Sequence, residues 1–161
     1  GLQIFMTEAR GEGMIAFSRD GAGHIVPIHL ARDREIHVRE HQFLAATKHV
    51  EYTFERVKGF ANMLMGQTGF FIDKFHCRDG DGILWVHGYG NVFEKVLAEG
   101  EQIEIEPGGW LYKDVSVKME TNLQRISAGL FGTSLGFVTN HFTGPGRIGL
   151  QSMYLHMPTT E

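Results

Sequence analysis

The sequence predicts an all-β fold of tandem short strands with little helix, and three observations carry that prediction. First, 21 glycines among 161 residues fall in spaced pairs, Gly11 and Gly13, Gly21 and Gly23, Gly80 and Gly82, Gly88 and Gly90, Gly108 and Gly109, Gly144 and Gly146, which punctuate the chain as turns do. Second, apolar residues alternate with polar ones between these marks, as in Ile36-His37-Val38, Val50-Glu51-Tyr52-Thr53-Phe54, Ile103-Glu104-Ile105 and Val115-Ser116-Val117-Lys118-Met119. That is the period of a strand with one buried face. Third, the pattern recurs. A shift of 67 residues lays Ile25 on Val92 and then, without a gap, Leu30 on Leu97, Ile36 on Ile103, Val38 on Ile105 and Phe43 on Trp110.

In chain order, the opening residues Ile4 to Phe17 match Phe137 to Leu150 at a shift of 133. They read as the last hairpin of a first unit, so that what precedes Gly1 is expected to be absent from the sequence. A second unit covers 23–89 and a third 90–157, with 1–22 as the end of the first; together 1–161 reads as one β-repeat domain. The same shift of 67 brings Gly69, Phe71 and Phe75 onto Gly136, Val138 and Phe142. Each complete unit carries an insertion, Glu55 to Gly66 and Asn122 to Gly132. In the first of these Phe60, Met63 and Leu64 keep the i, i+3, i+4 spacing of a short helical turn, with a glycine-rich loop as the alternative. Phe142-Thr143-Gly144-Pro145-Gly146-Arg147-Ile148 is expected to be a hairpin closed by a type II turn, Pro145 fixing φ and Gly146 supplying a positive φ. Thr159-Thr160-Glu161 is expected to fray.

With 42% apolar residues the chain suffices for one well-buried domain. Its formal charge of −4 lacks the basic excess that a nucleic-acid duplex or an anionic membrane attracts, so nucleic acid is not the expected partner. Cys77 is the one cysteine, which leaves the core to packing and points to a reducing compartment. No apolar run approaches the roughly 20 residues of a membrane-spanning helix, and no signal peptide is visible.

The third unit resembles a known family. Gly136-Phe137 followed by Phe142 to Ser152, with Glu106-Pro107-Gly108-Gly109-Trp110-Leu111, Val115-Ser116-Val117 and Leu130-Phe131-Gly132 before it, is similar to the motif of the AIM twenty-four family, named for altered inheritance of mitochondria. The resemblance implies β-sandwich units of the kind seen in the tryptophan-RNA-binding attenuation protein, double-stranded β-helix-like and arranged about a pseudo-threefold axis. It also implies a cytoplasmic location in a bacterium, or a mitochondrial one in a eukaryote. The second unit departs from the motif, with Cys77-Arg78-Asp79-Gly80-Asp81-Gly82 in place of the Thr-Gly-Pro-Gly turn.

Residues able to carry chemistry are scattered. His37 and His41, with Asp33 and Glu35, form the densest cluster among nine histidines, but i and i+4 on a strand stand about 13 Å apart, too far to share an ion. His76 and Cys77 are adjacent and splay to opposite faces, so no metal site is expected. Ser134, Ser152 and Cys77 show no nucleophile elbow, and Gly66-Gln67-Thr68-Gly69 and Gly144-Pro145-Gly146 lack the lysine and following helix of a phosphate loop. No catalytic residue and no cofactor is assigned. Lys113, Arg125 and Arg147, with Lys118, Trp110 and Tyr112, are the weak candidates for binding single-stranded RNA, although Trp110 falls on Phe43 in the repeat and reads as core. The expected role is non-enzymatic: a β-repeat scaffold or interaction module that self-associates through strand edges or takes a protein partner. RNA or small-ligand binding in clefts between units is the alternative, and a hydrolase using Cys77 or a serine is the remaining one.

Overall fold

The computed structural model describes residues 6–57, 70–127 and 134–153. Twelve strands make up the secondary structure of these residues. They are β1 (Gly23–Leu30), β2 (Glu35–Arg39), β3 (Phe43–Ala46), β4 (Val50–Val57), β5 (Phe70–Cys77), β6 (Gly82–Tyr89), β7 (Val92–Leu97), β8 (Gln102–Ile105), β9 (Trp110–Asp114), β10 (Lys118–Ser127), β11 (Ser134–Thr143) and β12 (Gly146–Gln151). The fold is all-β. Among the described residues no helix is long and apolar enough to cross a membrane.

The strands form three antiparallel sheets, ordered β1-β6-β3, β10-β11-β8 and β4-β5-β2-β9-β12-β7. The six-stranded sheet is two triplets, β4-β5-β2 and β9-β12-β7, joined where β2 pairs with β9 through Ile36 with Asp114, His37 with Lys113 and Val38 with Tyr112. The first six strands thus pair as β1-β6-β3 and β4-β5-β2, and the last six as β7-β12-β9 and β10-β11-β8, which is the same order six strands on.

Alternation fixes which side chains enter each core. Ile28 and Leu30 of β1, Ile36 and Val38 of β2, Phe75 and Cys77 of β5, and Leu84 and Val86 of β6 close the first core, with Leu111 and Tyr112 at its border. Leu97, Trp110, Val117, Phe142, Ile148 and Ile72 close the second. Both cores hold an aromatic pair in corresponding positions. Phe43 stacks on Phe75 with centroids 5.2 Å apart, and 67 residues on, Trp110 leans on Phe142 at 5.8 Å. Each of the two has a β-bulge at its third strand. Phe43 and Ala45 oppose Val86 and Trp85, which leaves Leu44 extra; Trp110 and Tyr112 oppose Leu150 and Gly149, which leaves Leu111 extra. The second bulge lays the Tyr112 ring over Gly149, where an added Cβ would lie 2.3 Å from the ring, so only glycine fits there.

Several expectations are corrected. The Phe142 to Ser152 stretch is not a hairpin: β11 pairs with β10 and β8, whereas β12 pairs with β7 and β9 in another sheet. Gly144 and Pro145 are a corner between sheets, and period-2 alternation, which reports a face, cannot report which sheet a strand joins. The turn is also not type II, since the Gly144–Pro145 peptide is cis. Gly144 is packed so closely on Leu97 and Ala98 that a Cβ there would lie 2.3 Å from the Ala98 carbonyl oxygen. The insertions are shorter than expected, because β4 runs on to Val57 and β10 to Ser127; Phe60, Met63 and Leu64 lie outside the described residues. Residues 6–22 form no strand. Ile15 is 65% exposed although its counterpart Ile148 is fully buried between β7 and β9, and among the described residues no strands of those kinds flank it.

Candidate functional site at the junction of the two strand sets

Where β2 meets β9, one row of side chains crosses three strands. Lys74 of β5 lies opposite His37 of β2, and His37 opposite Lys113 of β9. Opposed residues share a face. The next residue in the row, Ile148, belongs to the second core, and Lys113 beside it is correspondingly only 4% exposed. An open groove of about 760 Å³ runs past this row, between β2, β4 and β5 on one side and β9 and β10 on the other. Val57, Ile72, Val115, Val117 and Met119 give it apolar walls.

The row is only partly neutralised. Lys74 forms a close ion pair with Glu55, and His37 Nε2 lies 2.9 Å from Glu35 Oε1. Lys113 Nζ donates to the Val117 carbonyl at 2.7 Å. Burial, with Lys74 adding repulsion, pushes the Lys113 amine down to about 8. Burial and then Lys113 hold His37 below its ordinary value in spite of Glu35. The Lys74 hydrogen bond holds Glu55 below the usual carboxylate range. His37 Nδ1 is buried with no hydrogen-bond partner.

The other weak candidates are placed differently. Arg147 is held by Asp114, which accepts from its backbone N–H at 2.8 Å and from its guanidinium at 3.0 and 3.2 Å, and Glu94 lies 3.9 Å away. Tyr112 donates its hydroxyl to Glu94 at 2.7 Å, and burial followed by that bond raises its pKa. Trp110 is fully buried and Tyr112 is 3% exposed, so neither offers a face for a base to stack on. Arg125 lies on β10 opposite Gly136 of β11, and its side chain is outside the described residues, as is that of Ser134. The structure therefore brings Lys113 to the groove and leaves Arg147 within a carboxylate cluster on the other face of the sheet.

The histidine cluster resolves without a shared centre. Glu35 joins His37, Asp33 lies near Arg32, and His41 sits in a turn with φ of 66°. No group of three or more ligating side chains able to hold a metal occurs among the described residues. Cys77 is 1% exposed and burial raises its thiol pKa; Ser152 Oγ accepts from the Asn91 N–H at 2.9 Å. Two features escaped sequence reasoning. Asp73, 8% exposed, accepts from the Tyr52 hydroxyl at 3.0 Å, and burial lifts its carboxyl to about 6. The groove itself needs β2 and β9 side by side, 76 residues apart at His37 and Lys113, and no local pattern announces that.

Comparison with known proteins adds the following. No curated protein matches the chain. Seven chains of solved structure do. One is a Streptococcus pyogenes protein with an X-ray crystal structure from the Northeast Structural Genomics Consortium, 22% identical, with a TM-score of 0.64. The match covers 84% of the present chain and 56% of that protein, so the chain spans little more than half the length of this relative, and the likeness shows the fold. The family model described as mitochondrial biogenesis AIM24 matches residues 1–153, and with an all-β fold beneath that match the chain belongs to the AIM24 family.

Proposed function

We propose that the chain is a non-enzymatic β-repeat scaffold that works through its strand edges. The observation that carries this reading is an asymmetry among those edges. β1 and β7 are edge strands in both halves, and so are β4 and β10. β3 and β8 are edges whose counterparts, β9 and β2, are joined to each other. An open strand edge presents a row of unpaired N–H and C=O groups that another strand can take up. The β8 edge therefore suits a β3-type strand, and the β3 edge a β2-type strand. Both are met by another six-strand set of the same kind, and three such sets placed head to tail would surround a pseudo-threefold axis.

A second copy of the chain carries such a set. Its β3 docks on β8 of the first in the register of the β2–β9 join, Ile103 opposite Thr47, Glu104 opposite Ala46 and Ile105 opposite Ala45. The contact is heterologous, so copies add head to tail. The shared pairing order, the shared bulge position and the paired aromatic contacts support reading 23–89 and 90–157 as copies of one unit. Light scattering across a concentration range tests the association. The mass is expected to rise with concentration, and a monomer at every concentration would refute it. The groove at Lys113 favours a second and compatible reading, in which a small ligand sits between the strand sets.

A further inference from the structure

We propose that the groove between β2, β5, β9 and β10 binds a monocarboxylate with a short apolar body. The proposal rests on reading the groove as a ligand site and adds the class of ligand. It begins from polar atoms left without partners. An ammonium has three N–H donors, and Lys113, buried at the groove, gives one of them to the Val117 carbonyl at 2.7 Å. His37, directly opposite it, engages Glu35 through Nε2 and leaves Nδ1 buried and unpartnered. Buried polar atoms are paired as a rule, so exceptions that face a groove point to an occupant.

Charge narrows the occupant. Lys113, Lys74, Arg56 and Lys118 stand at or beside the groove against Glu35, Glu55 and Glu120, which leaves one positive charge on a chain whose formal charge is −4. One surplus charge suits a monoanion better than a phosphate dianion. One carboxylate oxygen accepts from a free N–H of Lys113, and the second faces His37 Nδ1, which becomes a donor once the ring is protonated. The apolar walls, with Val57 and Ile72 opposite Val117 and Met119, take the body of the ligand, and Val115, 50% exposed, stands at the rim.

The groups that act on Lys113 are Lys74 and His37 on the adjoining strands, Glu55 on β4, Glu35 on β2, Asp114 on its own strand, and Lys118 and Glu120 across the groove on β10. Because the lysine titrates near 8, a ligand that needs its ammonium is lost as the pH rises through that value, by about tenfold per unit above it. Acidification that protonates His37 acts in the opposite direction and tightens binding.

Calorimetric titration of the protein with octanoate, octanol and inorganic phosphate at pH 7 tests the proposal. Octanoate is expected to bind at least tenfold more tightly than either of the others and to weaken above pH 8. Lys113→Met and, at the rim, Val115→Asp are each expected to lower octanoate affinity at least tenfold while unfolding remains cooperative. Octanol binding as tightly as octanoate, or octanoate binding untouched by both substitutions, would overturn the proposal. Phosphate alone binding in a Lys113-dependent way would overturn the ligand class and leave the groove a site, whereas no binding of any probe would remove both.

Discussion

Gln151, 6% exposed at the end of β12, fastens the two strand sets together, and its replacement by leucine gives a worked prediction. Its amide nitrogen donates to the Gly108 carbonyl at 2.8 Å, and its oxygen accepts from the Tyr89 N–H at 3.0 Å. Tyr89 ends β6 in the first set, whereas Gly108 precedes β9 in the second. Leucine keeps the volume and removes both bonds. Each bond contributes about 1 kcal/mol net, and leaving a buried N–H and a buried C=O without partners costs about 1–3 kcal/mol more, less what burying an apolar side chain returns. The expected loss is about 2–4 kcal/mol. In urea, where a domain of this size loses about 2 kcal/mol per molar denaturant, the midpoint should fall by about 1–2 M at unchanged slope. A change below about 0.5 kcal/mol would refute the claim that this side chain latches the sets. His87 stands at the corresponding place in the first set, buried and hydrogen-bonded to the Gly21 backbone, which is the same reach back to the residues before the set.

Three further predictions follow from the buried groups. Asp73 has a folded pKa of about 6 against 3.8 for the free side chain, so the fold binds its proton more tightly and that advantage is lost as the pH rises through 6. Asp73→Asn should therefore stabilise by about 1–3 kcal/mol at pH 7.5 and by almost nothing below pH 4, in paired denaturation series; equal gains at both pH values would contradict the assignment. Lys113→Met should raise the melting temperature at pH 7, since removing a buried charge outweighs one lost bond to Val117, and the gain should shrink as the pH rises from 8 to 10.5. Gly149→Ala should cost about 1–3 kcal/mol, because the new methyl meets the Tyr112 ring and Tyr112 then lets go of Glu94; a fluorescence-monitored melt checks it.

Local signals made the strands legible and left their assembly obscure. Alternation placed Ile36, Val38 and Ile103 on inward faces, and the shift of 67 put Trp110 on Phe43 and Phe142 on Phe75, the residues that form the two aromatic pairs. Alternation cannot tell a hairpin from a corner, which is why Gly144-Pro145 was read as the former; two residues suffice for either, and the difference lies in which strands stand ready to pair. The bulges at Leu44 and Leu111 were equally invisible, because an extra residue within a run of apolar ones leaves no mark on the pattern. Lys113 illustrates the limit for the site. It follows Trp110-Leu111-Tyr112 in an apolar strand, and only the β2–β9 join, formed by residues far apart in sequence, sets it beside His37 and under β10. Arg147 shows the converse, a residue that looks available in sequence and is taken up by Asp114 once the strands are paired.

The claim on which the functional account depends is that β8 accepts β3 as β2 accepts β9, and cysteine cross-linking between chains tests it most directly. Ala46 and Glu104 are the counterparts of Lys113 and His37, which face each other across the β2–β9 join. Opposed residues of antiparallel strands lie about 4.5–5.5 Å apart, within reach of a disulfide. Chains carrying Ala46→Cys mixed with chains carrying Glu104→Cys should form a cross-linked dimer under mild oxidation, whereas Ala46→Cys mixed with Lys95→Cys on β7, an edge strand like its counterpart, should not. Equal cross-linking in both mixtures, or none in the first, would contradict the account.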